Sequence, residues 1–253
     1  MKIIVLKKIA IAIVACVVFV LSAFALNAKV LDVGGVYFTS GKKLPIYAVQ
    51  TEENKLSISF DAAWGADKTR EIMAICNEYN VKATFFLVGF WIEEYPEMVK
   101  EIYNNGFEIG IHSSTHPDMT KLTKKQIKEE LSNNIKLVED LTGYSPTLFR
   151  PPYGYYNNDL IEVCDELNLH CIEWSVDSLD WKGLSANEIA SRVMSKAEKG
   201  SIVLFHNNSD HIIEGLKMTL QFFNDKKLQV VPIGELIYTE NYTINNQGIQ
   251  IKK

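Results

Sequence analysis

The stretch Ala83–Val88 reads Ala-Thr-Phe-Phe-Leu-Val, and it decides the fold. An apolar run of this length is typical of a strand that is covered on both faces, as in a parallel sheet. Upstream, Leu56–Phe60 alternates apolar residues with serines, which is the pattern of another strand. Between these two strands, Asp67 is placed to cap a helix that runs to about Tyr79. The order is therefore strand, helix, strand.

The same alternation continues to residue 238 and predicts one α/β domain over residues 55–238. Thr123 with Gln126, and Ser185 with Glu188, form capping-box patterns at two helix starts. Strands that alternate with helices imply a parallel sheet, here curled into a distorted (β/α)7 barrel. The further predicted elements are a helix from Pro96 to Gly106, a strand at Phe107–His112, a helix at 123–142, a short strand near Leu148–Phe149, a helix at 158–167, a strand at His170–Val176, a helix from Ser185 to Gly200, a strand at Ser201–His206, a helix at 211–225, a strand at Leu228–Val231 and a short helix at 232–238.

The first 28 residues have the pattern of an export signal. Ile9–Leu26 is 18 positions long without a charge, and Lys2, Lys7 and Lys8 precede it. Positive residues before an apolar helix keep the N-terminus inside and export the rest of the chain. Two fates stay open: cleavage near the small residues of Ala23–Ala25, or retention as a membrane anchor. We expect a protein that is anchored facing outside the cytoplasm, or secreted.

Composition narrows the class of protein and its partners. The chain has 253 residues, of which 47% are hydrophobic and 23% charged, so it is not a disordered protein. Its net charge of −5 is a poor match to a phosphate backbone, so we expect no nucleic-acid partner. Residues 29–54 are predicted to be a linker with short strands, and residues 239–253 a polar C-terminal tail. The sequence does not indicate an oligomeric state.

Polar side chains collect where the predicted strands end. Asp61 follows one strand, His112 ends another with His116 close behind, Arg150 precedes two prolines, and His206 ends a further strand. In parallel barrels the carboxyl ends of the strands meet at one mouth, where the chemistry sits. We therefore expect these groups to share one small volume.

Each of these residue types suits a particular chemical task. Neutral imidazoles four residues apart are suited to a zinc-like ion, although such a pair can also be incidental. Asp61 can accept a proton if Arg150 keeps it ionised, and rigid amides beside the prolines can stabilise an oxyanion. His206 becomes a proton donor if an acid such as Asp180 raises its pKa.

Five segments, taken in order, resemble the polysaccharide deacetylases, the family with the NodB homology domain that is also called carbohydrate esterase family 4. The resemblance covers about residues 55–238. It implies a distorted (β/α) barrel and metal-dependent removal of N-acetyl groups from N-acetylglucosamine or N-acetylmuramic acid units, as in peptidoglycan or chitin. The segments are Ser59–Asp61, His112–Pro117, Arg150–Gly154, Asp177–Trp181 and Leu204–His206.

The resemblance also implies a role for each site residue, on a cell-wall polysaccharide substrate. The metal would be divalent, zinc first, with cobalt or manganese as alternatives. The implied roles are Asp61 as general base, His112 and His116 as metal ligands, Arg150 as the residue that orients Asp61, Tyr153 as a backbone oxyanion contact, Asp180 as the residue that tunes His206, His206 as general acid, and Trp181 and Leu204 as the lining of the acetyl pocket. His170 and His211 lie away from the strand ends, and we expect them to be structural.

One position departs from the family pattern. The first motif normally continues with a second aspartate that is the third metal ligand, and this chain has Ala62 there. The form Asp61-Ala62-Ala63-Trp64-Gly65 resembles a branch of the family associated with sporulation, which would act on spore cortex peptidoglycan. Three hypotheses stay open: a working deacetylase, a glycan-binding or structural cell-wall protein on the same scaffold, and a deacylase of another substrate.

Overall fold

The computed structural model describes residues 41–253. The predicted export segment and residues 29–40 of the predicted linker lie outside this range. Within it, no helix is both long enough and apolar enough to cross a membrane. The helices are α1 (Thr69–Glu78), α2 (Gly89–Glu94), α3 (Pro96–Asn104), α4 (Lys124–Thr142), α5 (Asn158–Glu166), α6 (Ala186–Met194), α7 (Ile212–Asp225) and α8 (Ile233–Leu236).

The strands of residues 41–253 form two sheets. The larger sheet has the order β6-β5-β4-β3-β2-β8-β7, with β9 paired to β2, and its pairings are parallel. The smaller sheet has the order β1-β11-β10. The strands are β1 (Ala48–Val49), β2 (Lys55–Ala62), β3 (Thr84–Leu87), β4 (Glu108–Ile111), β5 (Leu148–Phe149), β6 (His170–Cys171), β7 (Val176–Asp177), β8 (Ile202–His206), β9 (Gln229–Val230), β10 (Tyr242–Ile244) and β11 (Ile249–Lys252).

The larger sheet curls because its two edge strands follow each other in the chain. Strands β6 and β7 lie at opposite edges, yet only residues 172–175 connect them. A connection of this length spans at most about 18 Å, whereas a flat sheet of seven strands is about 29 Å wide. The sheet therefore curls until its edges approach, and the predicted α/β barrel is confirmed as an incomplete one.

The two predicted capping boxes are confirmed. Thr123 and Ser185 both make the predicted capping boxes, with Gln126 and Glu188. Gly143 ends α4 in the left-handed conformation at φ 72°, a backbone geometry that favours glycine. Helix α4 thus begins and ends as its sequence predicts.

Three sequence predictions are corrected by the structure. Asp67 does not cap α1, because that helix begins two residues later with Lys68 at its N-cap position and no side-chain cap. The predicted strand His170–Val176 divides into β6 and β7, because the chain crosses the barrel opening between them. Residues 239–253 are not a simple tail: they hold β10 and β11, and β11 pairs with β1.

Candidate active site

A cavity of about 680 Å³ opens at the carboxyl ends of the strands of the larger sheet. Eight of the nine predicted site residues line it, and the ninth, Arg150, lies fully buried beneath it. Chain segments from five separate strand ends thus meet at one place, as parallel packing requires. The lining residues predicted from sequence are Asp61, His112, His116, Tyr153, Asp180, Trp181, Leu204 and His206.

Asp61 lies near the carboxyl end of β2, and its side chain is held by Arg150. Arg150 Nη1 donates to Asp61 Oδ1 at 2.8 Å and to Ser59 Oγ at 2.9 Å, and its guanidinium lies 4.1 Å from the centre of the Phe86 ring. Burial opposes ionisation of Asp61, but the charge of Arg150 and its hydrogen bond hold the pKa of this carboxyl below its usual value. Asp61 is therefore an ionised proton acceptor.

His206 is the register partner of Asp61 on the adjacent strand β8. Its Nδ1 donates to Asp180 Oδ1 at 2.8 Å, and its backbone N–H donates to Asp180 Oδ2 at 2.8 Å. Burial alone would favour the neutral ring, but the hydrogen bond and charge of Asp180 raise the pKa of His206 above its usual value. This pairing leaves Nε2 as the nitrogen that is free to deliver a proton.

His112 is oriented by the main chain. Its Nδ1 lies 2.7 Å from the carbonyl oxygen of Arg150, which only accepts hydrogen bonds, so Nδ1 carries the proton and Nε2 is unprotonated. Nε2 lies 3.5 Å from Asp61 Oδ2. His116 packs edge-on against His112 with ring centres 4.9 Å apart. Burial and then the neighbouring His112 lower the pKa of His116 to about 4, so both rings are neutral near pH 7.

The loop that carries these two histidines is fixed by helix α4. Asn134 on α4 is fully buried and donates to the carbonyl oxygens of Leu87 and Ser113. Glu130, one turn earlier, accepts from the backbone N–H groups of Ser114 and Thr115 at 2.9 Å. These bonds tie the histidine loop to α4 and so fix its position.

The donor set does not fit a three-ligand catalytic metal site. Catalytic zinc takes three protein ligands and an open position, and the histidine pair supplies two. Ala62 has no donor atom, is fully buried and does not line the cavity. Across residues 41–253, no group of three His, Cys, Asp or Glu side chains could hold a metal ion.

Several residues of this region were not predicted from the sequence. Trp64, Tyr155 and Trp174 line the cavity, and Glu173 is buried beside Arg150, whose Nη2 donates to the Glu173 carbonyl oxygen at 3.3 Å. A tryptophan before a glycine, just after a strand end, is the signal that could have identified Trp64. Glu173 offers no such signal, because it lies in the connection between β6 and β7.

Comparisons with known proteins agree with this geometry. The family model for polysaccharide deacetylase matches residues 48–172, a range that includes Asp61, the two cavity histidines and Arg150 but ends before Asp180 and His206. The chain is 33% identical over 211 residues to the peptidoglycan-N-acetylglucosamine deacetylase PgdA of Listeria monocytogenes serotype 1/2a (strain 10403S), covering 83% of this chain and 44% of that one.

Two further matches are a sequence relative and a solved structure. The uncharacterized protein YlxY of Bacillus subtilis (strain 168) is 32% identical over 202 residues, which is 80% of this chain and 63% of that protein. The crystal structure of wild-type BA3943, described as a CE4 family pseudoenzyme from Bacillus anthracis, superposes with a TM-score of 0.74 at 31% identity, covering 76% of this chain and 68% of that one. The chain thus spans 44% of the length of PgdA and 63% of the length of YlxY.

The fold, the cavity and these matches define the class of protein. The chain belongs to the polysaccharide deacetylase family.

Proposed function

We propose that this protein hydrolyses the N-acetyl groups of amino sugars in peptidoglycan. One observation carries the proposal: Asp61 and His206 are register partners on β2 and β8, both line one cavity, and their surroundings shift their pKa values in opposite directions. A pair of titratable groups whose environments separate their pKa values in this way is typical of a general base and a general acid. The substrate is proposed from the named activity of PgdA.

Different residues of the cavity are proposed to act in different steps of the reaction. Ionised Asp61, held by Arg150, takes a proton from the water that attacks the amide carbon. His206, held by Asp180, delivers a proton to the sugar nitrogen as the C–N bond breaks. The backbone N–H of Tyr153 is proposed to face the developing oxyanion, and Trp181 and Leu204 to hold the acetyl methyl group.

Two narrower statements belong to the same proposal. Export is proposed from the charge and hydropathy of residues 1–28, with the chain either anchored in a membrane or secreted. Spore cortex peptidoglycan is proposed as the physiological substrate from the form of the first motif, Asp61–Gly65. Neither statement is needed for the chemistry.

Release of acetate tests the proposal. Purified protein is incubated with N-acetylglucosamine oligomers and with peptidoglycan, alone, with added zinc, cobalt or manganese, and with chelator. We expect release by the wild-type chain and none by Asp61→Asn or His206→Ala, because each variant lacks one partner of the proton transfers. No release by wild type in any of these conditions, while a family deacetylase succeeds in parallel, would contradict the proposal.

A second candidate function is glycan binding without hydrolysis. Ala62 and the incomplete donor set favour it, as does the likeness to BA3943, which is described as a pseudoenzyme. In that case the wild-type chain binds N-acetylglucosamine oligomers but releases no acetate, and Asp61→Asn leaves the affinity unchanged. Acetate release that Asp61→Asn abolishes would exclude this candidate.

A further inference from the structure

Two buried cysteines lie side by side in the core. Cys164 is on helix α5 and Cys171 is on the edge strand β6, and the two residues are only 1% and 7% exposed. Their thiols are hydrogen-bond partners, so the two sulfur atoms are in direct contact. Both cysteines are free thiols in the structure. Neither residue lines the cavity, so the pair has no part in the chemistry proposed above.

The turn between α5 and β6 brings the two sulfur atoms together. The N–H of Leu169 donates to the carbonyl oxygen of Cys164 at 2.9 Å. The N–H of Asn168 donates to the carbonyl oxygen of Asp165 at 3.2 Å, and Asn168 is left-handed with φ 55°. These two bonds around a left-handed residue form the Schellman motif, which ends a helix and turns the chain away from it. Strand β6 therefore returns along α5, and Cys171 comes to lie against Cys164.

The remaining cysteine of residues 41–253 is placed differently. Cys76 lies on α1 and is fully buried, and the titratable group that acts on it is Lys82 rather than a second thiol. A disulfide requires two cysteines whose side chains already lie together, because moving the backbone to join them stores strain. Cys164 and Cys171 are therefore the pair that this fold is able to join.

The compartment of the protein decides whether neighbouring thiols stay reduced. Disulfides persist in exported proteins and are rare in the cytosol, and export is proposed above from residues 1–28. A bond at this place also has a structural consequence. Residues 172–175 leave β6 and cross the barrel opening, and Trp174 in this connection lines the cavity. Joining Cys171 to Cys164 fixes the start of the crossing to α5.

We propose that Cys164 and Cys171 form a disulfide bond in the exported protein, which ties the edge strand β6 to helix α5. The proposal rests on the proposed export and does not depend on the proposed hydrolysis. Each thiol loses its proton, and the pair gives up two electrons as the Sγ–Sγ bond forms. The acceptor is a second disulfide, of a small molecule or of a thiol oxidoreductase, which is cleaved to two thiols by these protons and electrons. Because both side chains are buried in the folded core, the exchange takes place while the chain folds.

Refolding in a thiol–disulfide buffer tests this bond. The full chain is reduced, unfolded and refolded with oxidised and reduced glutathione, the remaining thiols are alkylated, and the peptides are mapped by mass spectrometry. We expect a cross-linked peptide that joins Cys164 to Cys171 and is lighter by two hydrogen atoms than the reduced pair, with Cys76 alkylated. The Tm of the oxidised wild-type chain should exceed that of the chain reduced with dithiothreitol by about 5 °C, because the bond restricts the unfolded chain.

The controls compare oxidised and reduced samples of one and the same variant, so any stability lost through the substitution itself cancels. Cys164→Ser and Cys171→Ala should show no difference in Tm between the two samples. Cys76→Ser, which removes a buried thiol outside the pair, should keep the difference seen in wild type. If a variant does not fold, the peptide map of the wild-type chain decides alone.

Three results would exclude the disulfide. These are a refolded wild-type chain with both thiols free, a cross-link that joins either of them to another cysteine, and a Tm that oxidation leaves unchanged. Acetate release by the same samples separates this proposal from the proposed function. A cross-link without any release contradicts the function and leaves the disulfide standing, whereas release without a cross-link does the reverse.

Discussion

Asp180 is the residue that raises the pKa of His206, the proposed general acid. Both of its carboxylate oxygens accept hydrogen bonds from His206, one from the ring and one from the backbone. The carboxylate is itself buried, so little water screens its charge. The orientation of the His206 ring and the raised pKa of His206 therefore have the same cause.

In Asp180→Asn, activity should be lost at a lower pH than in wild type as the pH is raised. His206 must be protonated to act, and removing the charge of Asp180 lowers its pKa, so the basic limb of kcat/KM should move down by about one pH unit. The measurement is a pH–rate profile of acetate release. Asp225→Asn, at the exposed end of α7, is the matched control and should leave the limb in place. A basic limb that does not move in Asp180→Asn would contradict this role.

The effect of Ala62 on metal binding can be tested by the substitution Ala62→Asp, which places a carboxylate at this position. Aspartate at this fully buried position costs stability unless a cation pairs with it. If it completes the donor set with His112 and His116, zinc should raise the Tm of Ala62→Asp by about 5 °C or more. The wild-type chain and Ala62→Asn should respond much less. Equal zinc shifts in the three proteins would show that position 62 does not reach the histidines.

At the scale of elements, helix α4 supports the histidine loop through Asn134. Asn134→Ala removes two hydrogen bonds to buried carbonyl oxygens, so we expect the free energy of unfolding to fall by about 1–3 kcal/mol. Each oxygen keeps one backbone donor, the N–H of His112 for Leu87 and the N–H of Gly89 for Ser113. Asn133→Ala, the same change at the exposed neighbouring position, should have little effect. Denaturant unfolding of both variants provides the measurement. Equal stability losses would rule out the specific role of Asn134.

The elements themselves were largely predictable from sequence. Helix α4 has its start in Thr123 and its end in Gly143, signals that are local and therefore readable. The division between β6 and β7 was not readable, because it depends on how the curled sheet closes. Asn134 was missed because a polar residue on the buried face of a helix interrupts the periodic pattern, and only the loop packed against it explains its presence.

The candidate active site shows the same contrast between features that the sequence indicates and features that depend on tertiary packing. The residues at strand ends were found because parallel strands bring their carboxyl ends together. Trp64 and Tyr155 were not assigned, since an aromatic residue in a loop is as often packed inside as exposed. Only the exposed fractions and ring distances distinguish these two cases.

At the scale of the whole molecule, Glu173 affects stability. It is buried, and its Oε1 has no hydrogen-bond partner among the described residues. Burial raises the pKa of Glu173 to about 8, although the charge of Arg150 works against this. The unfolded chain ionises near the usual 4.5, so Glu173 removes stability as pH rises from about 4.5 to about 8.

Glu173→Gln should therefore stabilise the protein most, relative to wild type, at alkaline pH. The glutamine cannot ionise, so the stability of the variant relative to wild type should grow by about 1.4 kcal/mol per pH unit across that window. Thermal or denaturant unfolding between pH 4.5 and pH 8 measures this difference. Glu129→Gln, at an exposed position, should show no such trend. A constant difference between Glu173→Gln and wild type would mean that Glu173 is ionised in the folded protein.

The smaller sheet joins segments made at very different times during synthesis. Strand β1 aligns with β11 about 200 residues further along the chain, and the buried side chain of Gln250 bonds both the N–H and the carbonyl oxygen of Tyr238. A nascent polypeptide can assemble the barrel strands as they leave the ribosome. Strand β1 is translated before the barrel strands, but its partner strand β11 emerges last. A polypeptide that stalls or ends before β11 therefore yields a barrel in which β1 lacks this strand partner.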